Sequence, residues 1–170
     1  MGEATSIEHR INQMLATGNG ERNAITLATA ESCTGGNVAA RLTSLAGSSE
    51  YVLGGIVAYS NNAKASLLGV SQETLGTRGA VSAECAREMA EGARRAFAAD
   101  LAVSTTGIAG PGGATARKSV GLVYIALAGP DGIAVDEFHF PGDRNTVTDA
   151  ATDAALLMLL RAVERRLGRT

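Results

Sequence analysis

Tryptophan is absent from this chain of 170 residues, and Tyr and Phe number only three each. A core anchored on aromatic rings is therefore excluded. Ala, Val, Leu and Ile must fill it, and a hydrophobic content of 45% supplies enough of them. Histidine occurs twice (His9, His139) and cysteine twice (Cys33, Cys85), with none of the four at the short spacing of a zinc-ligand pair. Two thiols make no disulfide framework, so a reduced, cytoplasmic protein without a metal site is expected. Long hydrophobic runs are missing too. Gly, Asn or a charge breaks every apolar stretch well short of the roughly 20 residues a membrane helix needs. The opening segment MGEATSIEHR lacks the apolar region of a secretory signal. Neither sign of charge dominates: 15 basic and 17 acidic residues leave a net charge of −2. That balance offers no electrostatic ground for nucleic acid or a membrane as partner. The length fits one domain, read as 1–170.

Glycine is the residue in surplus, 21 of 170, against an average near 7%. Such a surplus points to close backbone approach, either between helices and sheet or between backbone and ligand. The hydrophobic pattern predicts a helix over 5–18 with Ser6 as N-cap, stopped by TGNG. A strand follows at ITLATA (25–30), then the polar turn ESCTGG (31–36) and a helix running to Gly47. YVLGGIVAYS (51–60) reads as a strand with a bulge or tight packing at Gly54-Gly55. A short helix NNAKASLLG comes next, then a connector over 74–79 and an Ala-rich helix from Ser82 to about Phe97. LAVSTTG (101–107) is a third strand, followed by the glycine-rich loop 108–119. VGLVYIALA and GIAVDEFHF form a hairpin across GPDG. A last helix starts at Asp143. Helices alternating with the first three strands call for parallel pairing, and the hairpin forces one strand to run against the rest. The expected fold is an α/β three-layer α/β/α sandwich on a mixed, mostly parallel five-stranded sheet with one antiparallel strand. Ligands on such sheets bind beyond the carboxyl ends of strands, which is where ESCTGG, YSNNAK and TGIAGPGG fall.

Each segment admits a chemical reading beside a structural one. Ser32 lies between a strand and a helix start, where free amide N–H groups and the helix dipole suit a nucleophile whose oxyanion needs stabilising. Ser, Thr and Glu in such a turn are also ordinary caps. Cys33 is an alternative nucleophile, although neither histidine is placed to serve as its base. Lys64, near a helix start among small apolar residues, would have a lowered pKa and could take a proton from a Ser hydroxyl; it could equally be a solvated surface lysine. Tyr59 could orient that amine or relay its proton. The glycine-rich loop, lacking GK[ST], is not a Walker loop, yet its backbone could approach a phosphate or carbonyl oxygen. At GDR (142–144), Arg144 could meet a phosphate and Asp143 could be a plain N-cap.

Taken in order, AESCTGG, YSNNAK, GAVS (79–82), TGIAGPGG, KSVG (118–121) and PGDR are far more specific than any one alone. They resemble the CinA carboxy-terminal domain family over about residues 8–168, including its stand-alone nicotinamide mononucleotide amidohydrolases. Ser119 stands where the family usually has Pro in KPVG. The larger members carry an additional amino-terminal domain, for which 170 residues leave no room. The resemblance implies hydrolysis of nicotinamide mononucleotide to nicotinate mononucleotide and ammonia by a Ser/Lys mechanism without a cofactor. It implies Ser32 as nucleophile, Lys64 as base and Tyr59 as the partner of Lys64. The matching motifs make Glu31, Thr34, Gly35 and Gly36, then Thr106, Gly107, Ala109, Gly110, Gly112 and Gly113, and finally Arg144, the candidate substrate contacts. The expected partners are a small nucleotide and a second copy of the chain, most simply in a dimer. Two other functions fit the same motifs: a non-enzymatic nucleotide- or partner-binding module, and an amidohydrolase for a different amide.

Overall fold

The computed structural model describes residues 5–17 and 25–169. The elements run α1 (Ile7–Leu15), β1 (Leu27–Glu31), α2 (Asn37–Thr43), β2 (Val52–Val57), α3 (Asn61–Leu68), α4 (Gln72–Thr77), α5 (Ala83–Phe97), β3 (Leu101–Gly107), β4 (Leu122–Gly129), β5 (Gly132–His139) and α6 (Arg144–Arg166). The sheet order is β2-β1-β3-β4-β5. β1 pairs parallel with β2 and β3, whereas β4 is antiparallel to both β3 and β5. β4 is thus the one strand that opposes the others, as a Gly129–Gly132 hairpin turn requires. β1 leads outward to β2, and the chain then crosses back to β3 on the other side of β1. The crevice between the carboxyl ends of β1 and β3 is therefore a topological switch point, the usual ligand site of an open α/β sheet.

Helices cover both faces. Ile11 and Leu15 of α1, Val38 and Leu42 of α2, and Val147, Ala151, Leu156, Leu159 and Val163 of α6 share one apolar cluster with Leu27, Val103 and Ile125 of the sheet. On the other face Leu68, Cys85, Met89 and Ala93 pack with Ala28, Ala30 and Ala102. The small residues let these layers approach closely. A Cβ on Gly92 of α5 would run into the Leu68 carbonyl at the end of α3, and one on Gly55 into the Thr29 hydroxyl. The Gly54-Gly55 pair also follows a bulge, since Leu27 pairs with Val52 but Ala28 with Gly54, leaving Leu53 over.

The caps expected at Ser6, Ser82 and Asp143 are present, and Ser60 adds a fourth. Ser6, Ser60, Ser82 and Asp143 each accept a backbone N–H at the start of α1, α3, α5 and α6. The TGNG stop lies largely outside the described residues. Two differences are local. The connector over 74–79 contains a helix, α4, because Ser71 caps it and Thr74 is buried, its hydroxyl donating to Glu88. α2 ends at Thr43 instead of running to Gly47, and a short 3-10 turn over Ser48–Glu50 leads into β2. Among the described residues no helix is long and apolar enough to cross a membrane.

Candidate active site

Beyond the carboxyl ends of β1, β2 and β3 lies a cavity of about 390 Å³, within the range of small-molecule sites. Each strand supplies one wall. Ser32 and Cys33 follow β1, Tyr59, Asn61 and Lys64 follow β2, Thr106 and Gly107 end β3, and Ile108, Ala109, Gly110, Gly112 and Gly113 follow it; Arg144 enters from the start of α6. A second cavity, about 410 Å³, sits at the opposite end of the sheet beside the β4–β5 turn and Arg165–Arg166. None of the residues selected from the sequence is there.

Ser32 is held on both sides. Its N–H donates to the Thr105 carbonyl at 3.0 Å, continuing the β1–β3 ladder, and its carbonyl accepts from Gly35 N–H at 3.2 Å. The turn that follows is built on Glu31, which is 1% exposed. Glu31 Oε2 accepts from the Thr34 hydroxyl (2.7 Å), Gly36 N–H (3.0 Å) and Val38 N–H (3.1 Å). Its Oε1 accepts from Ala39 N–H (2.8 Å) and the Thr29 hydroxyl (3.3 Å). The Gly36, Val38 and Ala39 amides at the start of α2 are therefore occupied by a carboxylate from within the chain. Glu31, Thr34, Gly35 and Gly36 lie outside the cavity lining and form the floor that supports Ser32.

Lys64 is 2% exposed. Its Nζ lies 2.9 Å from Ser32 Oγ, 2.8 Å from the Ala58 carbonyl and 3.4 Å from the Tyr59 carbonyl. Desolvation lowers its pKa from the ordinary lysine range, with the Cys85 and Cys33 thiols acting weakly in the other sense. A neutral amine has two N–H donors and one lone pair. Here two carbonyls can take the donors, and the Ser32 hydroxyl can donate to the lone pair. Burial pushes the neighbouring Cys33 thiol up to about 11, so it is protonated near neutral pH. Both cysteines are free thiols. Among the described residues no cluster of His, Cys, Asp and Glu could hold a metal ion.

A match to the family model "CinA C-terminal domain" extends over residues 5–163. The chain belongs to the CinA C-terminal domain family. It is 51% identical over 146 residues to a CinA-like protein of Geotalea daltonii, covering 86% of this chain and 35% of the relative. It is 53% identical over 137 residues to a CinA-like protein of Citrifermentans bemidjiense, covering 81% of this chain and 33% of the relative. The chain thus spans about a third of the length of the curated relatives it matches. Among solved structures, the competence/damage inducible protein CihA of Agrobacterium tumefaciens superposes with a TM-score of 0.84 at 41% identity, covering 96% of this chain and 98% of that one. A CinA superfamily protein of Escherichia coli gives 0.84 at 33% identity, covering 95% and 93%.

The remaining motifs of this CinA-family chain divide between lining the cavity and supporting it. Thr106 Oγ1 donates to the Ala80 carbonyl at 2.7 Å. Lys118 of KSVG donates to the carbonyls of Arg78 (2.7 Å) and Val81 (2.6 Å). The GAVS segment is thereby pinned from two sides, and its Ala80 and Val81 become cavity wall. Gly107 abuts Leu122 and Val123 of β4, and Gly110, at φ +89°, abuts Val120. Gly112 and Gly113 are exposed. The amides of Ala109, Gly110, Gly112 and Gly113 donate to no other group among the described residues. Asp143 caps α6 through Thr146 N–H (2.9 Å) and the Thr146 hydroxyl (2.8 Å). Arg144 is left facing the cavity, where it donates to the Tyr59 phenol oxygen at 3.3 Å. The two readings of GDR are therefore compatible. Sequence reasoning missed Asn61, Ala80, Val81 and Ile108 as lining. The only signal for Ala80 and Val81 was the place of GAVS among the motifs that carry the family resemblance.

Proposed function

We propose that the chain is an amidohydrolase that cleaves the carboxamide of nicotinamide mononucleotide by a Ser32/Lys64 mechanism. The observation that carries this reading is the buried Lys64 amine 2.9 Å from the Ser32 hydroxyl, a nucleophile and base at contact distance. Ser32 Oγ attacks the amide carbon while the Lys64 lone pair takes its proton. The tetrahedral intermediate collapses, and Lys64 returns the proton to the leaving nitrogen, releasing ammonia and leaving an ester on Ser32. Lys64 then takes a proton from water, whose oxygen attacks the ester carbon. Collapse frees nicotinate mononucleotide, and the proton returns to Ser32 Oγ. The sum is amide plus water to carboxylic acid plus ammonia. Free amides between Ala109 and Gly113, together with the Arg144 guanidinium, suit the phosphate at the other end of the substrate. No step calls for a metal or organic cofactor, and the working unit in this proposal is a homodimer.

The test is ammonia release from pure protein incubated with nicotinamide mononucleotide and a chelator. Turnover that survives the chelator and vanishes in Ser32→Ala supports the reading. Binding of the nucleotide with no ammonia release would make the chain a nucleotide-binding module instead. Faster turnover of a different amide would reassign the substrate.

A further inference from the structure

The side chain of Tyr59 stands outside the path of the proton. Only its main-chain carbonyl reaches Lys64 Nζ, at 3.4 Å. The phenol oxygen instead accepts from Arg144 across the cavity mouth, at 3.3 Å, and the residue is 65% exposed. An aromatic ring left in water at the lip of a cavity gains free energy when a ligand covers it. Its chemistry narrows the ligand. The π-face is electron-rich and attracts a flat cation. The guanidinium at its edge attracts an anion and repels a cation that carries no anion of its own. Lys64, its pKa lowered by desolvation, adds little positive charge when neutral. The pair fits a molecule with a cationic ring at one end and a phosphate at the other.

We infer that the Tyr59 side chain is a specificity-determining residue that stacks on a cationic N-ribosyl pyridinium ring and selects it over an uncharged ring of the same shape. It is not a proton relay. The substrate class rests on the amidohydrolase reading above; the role of the ring is additional to it.

The experiment compares nicotinamide mononucleotide with the 5′-phosphate of benzamide riboside, whose ring is uncharged but whose carboxamide and phosphate are in the same places. kcat/KM is measured for wild type, Tyr59→Phe and Tyr59→Leu, and dissociation constants for both ligands are measured by calorimetry in the Ser32→Ala background. Tyr59→Phe keeps the ring and should preserve the preference for the cationic ligand, with kcat reduced no more than about threefold. Tyr59→Leu should shrink that preference by about 2- to 30-fold, the span of cation–π contacts from exposed to desolvated sites. A kcat loss of several orders of magnitude in Tyr59→Phe, with a changed pH profile, would restore the relay role and overturn the inference. Equal losses for both ligands in Tyr59→Leu would also overturn it, as would a change of oligomeric state with unaltered preference, since Val57 and Leu67 are exposed too. If wild type cleaves neither compound, the amidohydrolase reading fails, and the calorimetric ratio still decides the role of Tyr59. Binding of neither ligand to Ser32→Ala refutes it.

Discussion

Glu31→Gln removes one charge, changes almost no volume, and should destabilise the protein far more than a typical surface change. Five donors converge on this carboxylate: three backbone amides of the α2 start and two threonine hydroxyls. Glutamine replaces one acceptor oxygen with an NH2 group. The Thr29 and Thr34 hydroxyls can rotate to accept, but backbone N–H groups cannot. Placing NH2 at the Oε1 position opposes one amide, that of Ala39; placing it at Oε2 opposes two, those of Gly36 and Val38. The cheaper choice still sets one buried N–H against another, at about 1–3 kcal/mol per unsatisfied donor. Loss of the charge at the α2 start adds about 0.3–1 kcal/mol. A destabilisation of about 3 kcal/mol follows, a large share of the roughly 5–15 kcal/mol available to a domain. At roughly 2–4 °C per kcal/mol for a chain of this size, the melting midpoint should fall by about 6–12 °C. Thermal unfolding followed by far-ultraviolet circular dichroism reads this directly, which suits a chain without tryptophan. Ser32 is the next residue and its carbonyl closes the same turn, so turnover measured below the transition should fall as well. An unchanged midpoint in Glu31→Gln would refute the assignment of Glu31 as the support of this turn.

Ser32→Ala and Lys64→Ala should each lower kcat by several orders of magnitude, because the two groups act as a unit; circular dichroism should show both variants folded. In the proposed mechanism the base is the neutral amine, so kcat/KM should rise with pH as Lys64 loses its proton. Burial lowers that pKa, so the rise should fall below the ordinary lysine range, and a pH profile that declines through this region would contradict the role. Gly112→Ala should raise KM for the nucleotide with little change in melting midpoint, because a Cβ there meets no protein atom within 4 Å and occupies space open to ligand. Gly110→Ala should instead lower stability, since its φ of +89° disfavours a side chain and the Cβ would lie 2.7 Å from Val120; steady-state kinetics and thermal melts of the pair separate the two causes. Cys33→Ala should leave kcat nearly unchanged, its thiol being pushed up to about 11, and loss of turnover in that variant would move the nucleophile from Ser32.

Much of the architecture follows from local patterns in the chain. Short apolar, β-branched runs marked the strands and helical spacing most helices, and Ser6, Ser82 and Asp143 marked helix starts, because a cap needs only its own next three residues. The order of elements implied the mixed sheet, and the hairpin at Gly129–Gly132 implied one opposed strand. Polar segments at three strand ends pointed to Ser32, Lys64 and the glycine-rich loop, since such ends converge in any open α/β sheet. The buried face of α6 was less legible: with Ala, Leu and Met on nearly all sides, its spacing does not single out the stripe from Val147 to Val163 that packs on the sheet.

What remained undetermined depended on residues distant in sequence. A lysine among small residues reads as solvated until α3 turns it inward beneath Ser32, 32 positions earlier, and strips its water. The Tyr59–Arg144 contact spans 85 positions and exists only because α6 starts beside the end of β2. Lys118 reaches back to the carbonyls of Arg78 and Val81, so KSVG and GAVS gain a shared purpose only in three dimensions. Gly110 was expected as a ligand contact and does line the cavity; its positive φ and the nearness of Val120 are a second reason for its glycine that only the fold shows. Local propensity reports how each segment bends. Burial, desolvation and the choice of hydrogen-bond partner are set by whatever the rest of the fold brings alongside, and that is why the surroundings of Ser32 and Lys64 could be read only from the tertiary structure.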